Sequence, residues 1–237
     1  MIEVSVIIPT YNERENIAEL IERVEATLKG IPFELIIVDD NSPDGTSELA
    51  EYSDRKYGNI RVVRRVDRLG LGSAVAYGFG RAKAEIMVVM DADLQHPPEL
   101  LSLMYKRIVE GHSLAIASRY VEGGGVEELS ISRRLVSRGA GKLSHLLLPK
   151  TRSVKDPMSG FFMLRKEVIN GVKLNPTGFK ILLEILAKGK YDSVVEVPYT
   201  FKSRKRGKSK LNLREVLRYI LLLFNLRANS GIASRLK

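Results

Sequence analysis

The chain alternates two hydrophobic periods, and that alternation restricts its fold more than any other feature. Residues 4–8 form a short apolar run stopped by Pro9, which suits a buried parallel strand. Ile17, Leu20, Ile21, Val24 and Leu28 then recur at helical spacing, with Gly30 as the stop. Residues 33–38 give a second strand that ends in Asp39 and Asp40. The turn residues 41–45 follow, and a helix begins near Thr46. Residues 60–63, 86–90 and 114–117 supply three further strands. Between them, residues 70–84 read as a glycine-entered helix, and Pro97 and Pro98 open another that carries Leu100, Leu101, Met104 and Ile108. This repetition predicts an α/β fold: a Rossmann-like, mostly parallel sheet flanked by helices, with right-handed crossovers. Ligands bind beyond the carboxyl ends of such strands. Residues 9–13, 39–40, 91–95 and 118–119 lie at those ends.

After Tyr120 the pattern changes. Gly123, Gly124 and Gly125 read as a flexible joint. Residues 132–148 mix Arg133, Arg134, Arg138 and Lys142 with Leu135, Val136, Leu143, Leu146 and Leu147. That is a basic amphipathic helix, either packed on the domain or lying in a membrane interface. Residues 161–164 and 194–197 read as strands, with a helix over 179–188 between them. Further on, Leu213, Val216, Leu217, Ile220, Leu221 and Phe224 form an apolar helix face in a basic setting. No apolar run approaches the roughly 18 residues that span a bilayer. Residues 1–10 lack a basic leader region and read as a strand.

The 237 residues suit one large α/β domain with a modest appendage. The net charge of +10 predicts an anionic partner: nucleic acid, acidic lipid or a phosphorylated substrate. Lys202, Arg204, Lys205, Arg206, Lys208 and Lys210 concentrate that charge in one segment. Such a cluster binds phosphate, or is a solvated loop or a nucleic-acid patch. Aromatic residues are 7% of the chain and do not interleave with the cluster, which argues against stacking on nucleic acid. The absence of cysteine excludes disulfides and thiolate metal sites.

Asp91-Ala92-Asp93-Leu94-Gln95 carries the strongest chemical signal. An apolar strand delivers two carboxylates, one residue apart, as it ends. Alternation puts Asp91 and Asp93 on one side, with Gln95 able to follow. Two carboxylates and an amide oxygen are hard ligands, suited to Mg²⁺ or Mn²⁺ that also binds substrate phosphates. The alternative is a solvated acidic turn. Asp39 and Asp40 share the placement, either accepting hydrogen bonds from a base or ribose or forming a turn. Arg119, Arg133 and Arg134 are candidate phosphate ligands or ordinary surface arginines. Other constellations fail. Gly70-Leu71-Gly72 has Val75 where a dinucleotide fingerprint needs its third glycine. His96, His112 and His145 are too scattered for a zinc site and read as structural. No serine lies in a nucleophile elbow.

Five motifs follow one another in order: VIIPTYNEREN at 6–16, IVDDNSPDG at 37–45, VMDADLQHPPE at 89–99, ASRY at 117–120 and DPMSGFF at 156–162. Together they resemble the dolichol-phosphate (polyprenol-phosphate) mannosyltransferases, inverting members of glycosyltransferase family 2, over residues 4–211. The resemblance implies a GT-A fold, GDP-mannose as donor, Mg²⁺ or Mn²⁺, and dolichyl or polyprenyl phosphate as acceptor. It implies that Pro9, Tyr11 and Glu13 line the nucleotide site, and that Val38 and Asp40 contact the guanosine part. Asp91, Asp93 and Gln95 would hold the metal against the diphosphate, with Ala92 between them in the donor site. Arg119 and Arg133 would grip the acceptor phosphate, and Arg206 and Lys210 would bind donor phosphates. Glu184 reads as structural or supporting. The expected organisation is a catalytic domain over 1–211 and a membrane-proximal amphipathic tail over 212–237, at the cytoplasmic face of a membrane. The same fold acting on another nucleotide-sugar, such as UDP-glucose, is the nearest alternative. A non-catalytic membrane scaffold and a nucleic-acid-binding protein are more remote.

Overall fold

β1 (Val4–Thr10) is buried along its whole length, as a central parallel strand must be. It pairs in parallel with β2 (Phe33–Asp39) on one side and β4 (Ile86–Val89) on the other, and β3 (Ile60–Arg64) extends the sheet beyond β2. The computed structural model describes residues 1–67, 70–127, 131–175, 180–202 and 219–228, with the backbone alone for 131–138. Within them, β5 (Leu114–Ser118), β7 (Phe162–Arg165) and β8 (Val194–Pro198) complete a seven-stranded sheet in the order β3-β2-β1-β4-β7-β5-β8. β7 runs antiparallel to both β4 and β5. It therefore begins at the edge where its neighbours end, and it brings residues 156–161 to the carboxyl ends of β4 and β5.

Helices cover both faces. α1 (Arg14–Thr27) and α4 (Leu100–Val109) bury Ile17, Leu20, Ile21, Val24, Leu101, Met104 and Ile108 against Val6, Ile8, Leu35 and Ile37, and α2 (Thr46–Tyr57) adds Ala50. α3 (Leu71–Phe79) and α6 (Ile181–Lys188) cover the opposite face through Ala74, Val75, Phe79, Leu182, Ile185 and Leu186. α3 ends five residues before the apolar pattern suggests. Beyond Gly80 the Lys83 N–H donates to Glu34 and the Ala84 N–H donates to Ser5 Oγ, so strand side chains take the hydrogen bonds a longer helix would use. Gly78 lies where α3 presses on β1. An added Cβ would overlap Ile7 and sit 3.4 Å from Val38. Gly78→Ala is expected to destabilise the fold by about 1–3 kcal/mol through overpacking, read as a lower Tm on thermal denaturation.

The glycine stretch at 123–125 is not a free joint. A Cβ on Gly124 would lie 2.7 Å from the Ser118 carbonyl, and Gly123 has φ +81°. Gly125 and Val126 form β6 (Gly125–Val126), a short ribbon with β9 (Thr200–Phe201). Small size and left-handed backbone, rather than mobility, explain these glycines.

α5 (Ile131–Leu147) matches the basic amphipathic segment. Its Ala140, Leu143 and Leu147 pack against Leu183, Ala187 and the helical residues 219–228. Those residues bury Tyr219, Leu222, Leu223 and Leu226, while Leu221, Phe224 and Leu146 of α5 stay exposed. The face packed on α5 and α6 is thus a neighbouring one, and Leu221 and Phe224 of the apolar face read from the pattern remain uncovered. Leu213, Val216, Leu217 and the expected boundary after Leu211 lie outside the described residues. Among the described residues, no helix is long and apolar enough to cross a membrane.

Candidate active site

The carboxyl ends of β1, β2 and β4 stand side by side, and each is followed by an unusual backbone. Asn12, Asn41 and Leu94 have φ of 58°, 57° and 61°, the positive-φ non-glycine residues among those described. Asparagine tolerates this region, whereas leucine adopts it only when its surroundings impose it. Strain gathered on one rim is a mark of a working site.

Hydrogen bonds stitch the first two loops together. Thr10 Oγ1 and Ser42 Oγ donate to Asp39 Oδ1, the Ser42 N–H donates to Asp39 Oδ2, and the Asn12 N–H donates to Ser42 Oγ. The Asp40 N–H donates to the Thr10 carbonyl, joining the ends of β1 and β2. Asp39 and Asp40 are 1% and 3% exposed, so both act within the rim rather than as solvated turn residues. Asp40 accepts from Arg65 Nε (2.6 Å) and from the Gly70 N–H (2.9 Å). Pro9 and Val38 are buried, and the Val38 side chain belongs to the core under α3. Tyr11 and Glu13 are partly exposed at the rim, where Asn16 Nδ2 donates to Glu13 Oε2.

The loop after β4 holds the acidic set. Asp93 is 4% exposed, Ala92 is 3% exposed, and the Asp91 side chain is 31% exposed. The Gln95 N–H donates to Asp93 Oδ1 (3.1 Å), and Gln95 Nε2 donates to the Lys202 carbonyl (2.7 Å). Among the described residues, no three His, Cys, Asp or Glu side chains gather as a complete metal cage. Two carboxylates and one amide oxygen fit a hard divalent cation that takes its remaining ligands from substrate phosphates and water.

His96 supports this loop from behind. The Asp91 N–H donates to its Nδ1 (3.0 Å), which assigns the neutral ring with Nε2 protonated. The ring stacks on Phe161 and meets Tyr199 and Phe201 edge-on. Burial pushes its pKa down to about 4; Asp93 opposes that shift and Arg119 reinforces it. His96 is therefore a neutral structural residue, as its isolation in the sequence suggests, and not a proton acceptor.

Cations face the acids. Arg119 forms a two-pronged pair with Asp156: Nε donates to Oδ2 and Nη2 to Oδ1, both at 2.7 Å. The Arg119 N–H also donates to Asp156 Oδ2 (3.1 Å). Burial disfavours the guanidinium charge, but the Asp156 hydrogen bonds outweigh it and raise its pKa. Lys180, at the head of α6, donates to the Met158 carbonyl (3.1 Å). Burial pushes its pKa down to about 8; Arg119 adds to the shift, while Asp156 and Asp91 oppose it. Lys180 thus remains mostly cationic at neutral pH.

The fold brings Asp91, Ala92, Asp93, Gln95 and Arg119 to one end of the sheet, with Pro9, Tyr11, Glu13, Val38 and Asp40 on the adjoining strands. The side chain of Arg133, and all of Arg206 and Lys210, lie outside the described residues. Asp156, Lys180 and Tyr199 join the site without having been singled out by the sequence. Asp156 sat inside a quoted motif. Lys180 had only one weak signal, a lysine heading a mostly apolar helix that also carries Glu184 and Lys188. Glu184 is 1% exposed and accepts from the Asn175 N–H and from Lys188, a supporting role as expected.

Comparison with known proteins agrees with this geometry. The glycosyl transferase family 2 model matches residues 5–172. The dolichol-phosphate mannosyltransferase of Pyrococcus furiosus is 51% identical over 234 residues, which make up 99% of this chain and 66% of that protein. The dolichol-phosphate mannosyltransferase of Saccharomyces cerevisiae is 38% identical over 248 residues, covering 98% of this chain and 91% of that protein. Among solved structures, glucosyl-3-phosphoglycerate synthase from Mycobacterium tuberculosis, in complex with Mn²⁺, UDP-glucose and phosphoglyceric acid, has a TM-score of 0.72 at 20% identity. That match covers 97% of this chain and 80% of the other, and it shows a common GT-A fold. By fold, motif order and similarity along its length, the chain belongs to glycosyl transferase family 2 and, within it, groups with the dolichol-phosphate mannosyltransferases.

Proposed function

We propose that this chain transfers mannose from GDP-mannose to dolichyl or another polyprenyl phosphate, with inversion at the sugar. The observation that carries this reading is the identity with dolichol-phosphate mannosyltransferases across nearly the whole chain, together with the acidic loop after β4 facing Arg119 and Lys180. In the reaction, an acceptor phosphate oxygen forms a bond to the anomeric carbon. The bond from that carbon to the diphosphate oxygen breaks, and GDP leaves with the electron pair. A phosphate monoester has a second pKa of about 6, so its oxygen is already deprotonated near neutral pH. No general base is needed, which suits a neutral His96 held by the Asp91 N–H. Arg119 and Lys180 supply fixed positive charge where phosphate groups gather, and Arg133, Arg206 and Lys210 are proposed to add to it. Asp91, Asp93 and Gln95 would hold Mg²⁺ or Mn²⁺, which when bound offsets the charge developing on the leaving diphosphate.

Gly160 gives a test of how tightly this loop is set. A Cβ there would lie 3.2 Å from both Asp91 Oδ2 and His96 Cε1. Gly160→Ala is expected to lower kcat by up to about a hundredfold by displacing Asp91, while no ligand is removed. Steady-state kinetics at saturating metal, beside an unchanged Tm, would register this.

The lipid acceptor implies work at a membrane surface, and the cytoplasmic face is the proposed location. Exposed Leu146, Leu221 and Phe224 beside Arg152 and Arg227 support interfacial contact, as does the net charge of +10 toward an anionic leaflet. UDP-glucose as donor is a second reading, favoured by the fold shared with a structure that holds it. Thermal denaturation with Mn²⁺ separates the two. GDP, and not UDP, should raise Tm; a rise with UDP alone would replace the donor.

A further inference from the structure

Behind the nucleotide-facing rim, one arginine closes a ring of hydrogen bonds. Arg65 follows β3 and is 8% exposed. Its Nε donates to Asp40 Oδ1 (2.6 Å), and Nη2 forms an ion pair with the same carboxylate. Nη1 donates to Ser73 Oγ (2.8 Å), and Nη2 donates to the Gly70 carbonyl (3.1 Å). Ser73 Oγ in turn donates to that carbonyl (2.9 Å), and the Gly70 N–H returns to Asp40 Oδ2 (2.9 Å). The Arg65 N–H also donates to the Asp39 carbonyl (2.8 Å). One guanidinium therefore ties the end of β2 to the first turn of α3.

A closed core strand needs no such device. The ring lies beyond the carboxyl end of the sheet, where ligands bind. It holds a buried carboxylate beside Pro9 and Thr10, at the margin where the proposed function puts the donor nucleotide. Arginine suits this work because its planar fork fixes several acceptors at once, which a lysine does not reproduce.

We infer that Arg65 is a positioning residue for the donor nucleotide: through Asp40, Gly70 and Ser73 it fixes the wall of the nucleoside pocket between β2 and α3. This inference rests on the nucleotide-sugar reading above. It makes Asp40 a ligand whose orientation is set by a partner the motifs do not contain.

The test is calorimetric titration of GDP and UDP, with Mn²⁺, into wild type, Arg65→Met, Arg65→Lys, Ser73→Ala, Asp40→Ala and the Arg65→Met/Asp40→Ala double variant. It is paired with donor KM and kcat for each. Using whichever nucleotide the wild type binds, Arg65→Met is expected to bind at least tenfold more weakly and to raise donor KM more than it lowers kcat. Arg65→Lys should recover part of the affinity and Ser73→Ala should lose about threefold. The double variant should lose less than the two single losses combined, because Arg65 acts in part through the Asp40 carboxylate. A folded Arg65→Met that binds within twofold of wild type, despite a lower Tm, would reduce Arg65 to a structural residue. If Arg65→Met does not fold, wild-type affinity in both Arg65→Lys and Ser73→Ala would overturn the inference equally. A wild type that binds neither nucleotide would instead overturn the functional reading on which it rests, and this inference with it.

Discussion

Asp93→Asn is expected to lower sugar transfer by at least about a hundredfold while leaving the metal-free fold as stable as wild type or slightly more so. The two halves of this prediction have separate causes. Asp93 is 4% exposed, so without a cation its charge sits in a poorly solvated place, with Asp91 two residues away on the same loop. Asparagine removes one charge and keeps an Oδ1 that can accept from the Gln95 N–H, so the loop retains its bond. With a divalent cation present the sign reverses, because the lost charge is then a lost ligand. Wild type should gain Tm with Mn²⁺ in proportion to ln(1 + [L]/Kd), and Asp93→Asn should gain little. A variant that transfers normally, or that responds to Mn²⁺ as wild type does, would remove Asp93 from the metal set.

Asp156→Ala is expected to be the most damaging single change to the fold of the site. Asp156 is fully buried, and it receives the Arg119 side chain through two bonds and the Arg119 backbone through a third. Removing it strands a guanidinium that is 12% exposed. Breaking such a pair costs about 3–5 kcal/mol, or roughly 6–20 °C in Tm for a chain of this size. Replacing both partners together, as Arg119→Met with Asp156→Leu, should cost much less stability, since no buried charge is then left alone. Activity should be lost in both variants, because each lacks a held Arg119. Thermal denaturation of the two variants, followed by a transfer assay at a temperature where both are folded, separates stability from chemistry. Equal destabilisation by the single and double changes would mean that the pair is not the cause.

Much of this architecture was legible because each strand combines a short apolar run with a polar stop. β1, β2, β4 and β5 end within two residues of where their patterns place them, at Thr10, Asp39, Val89 and Ser118. The acidic loop was legible for the same reason, since the strand before it announces its end. What escaped depends on contacts between distant segments. Arg119 and Asp156 are 37 residues apart and meet because β7 enters the sheet antiparallel, a direction that its four residues do not encode. Lys180 joins them by heading an apolar helix, where nothing local marks it as functional. The length of α3 was overestimated because Glu34 and Ser5 capture backbone N–H groups from another part of the chain. The three glycines at 123–125 were misjudged since a glycine that fits a tight space and one that gives freedom look alike in sequence.

The measurement that bears most directly on the account is transfer of mannose from labelled GDP-mannose to a polyprenyl phosphate in lipid vesicles, with Mn²⁺ or Mg²⁺ and again with EDTA. Lipid-linked mannose is expected with either metal, with loss of product in EDTA and restoration on adding the metal back. Transfer that persists undiminished in EDTA would contradict the role given to Asp91, Asp93 and Gln95. Failure to transfer mannose from GDP-mannose, by folded protein with accessible lipid phosphate and metal, would contradict the proposed reaction itself.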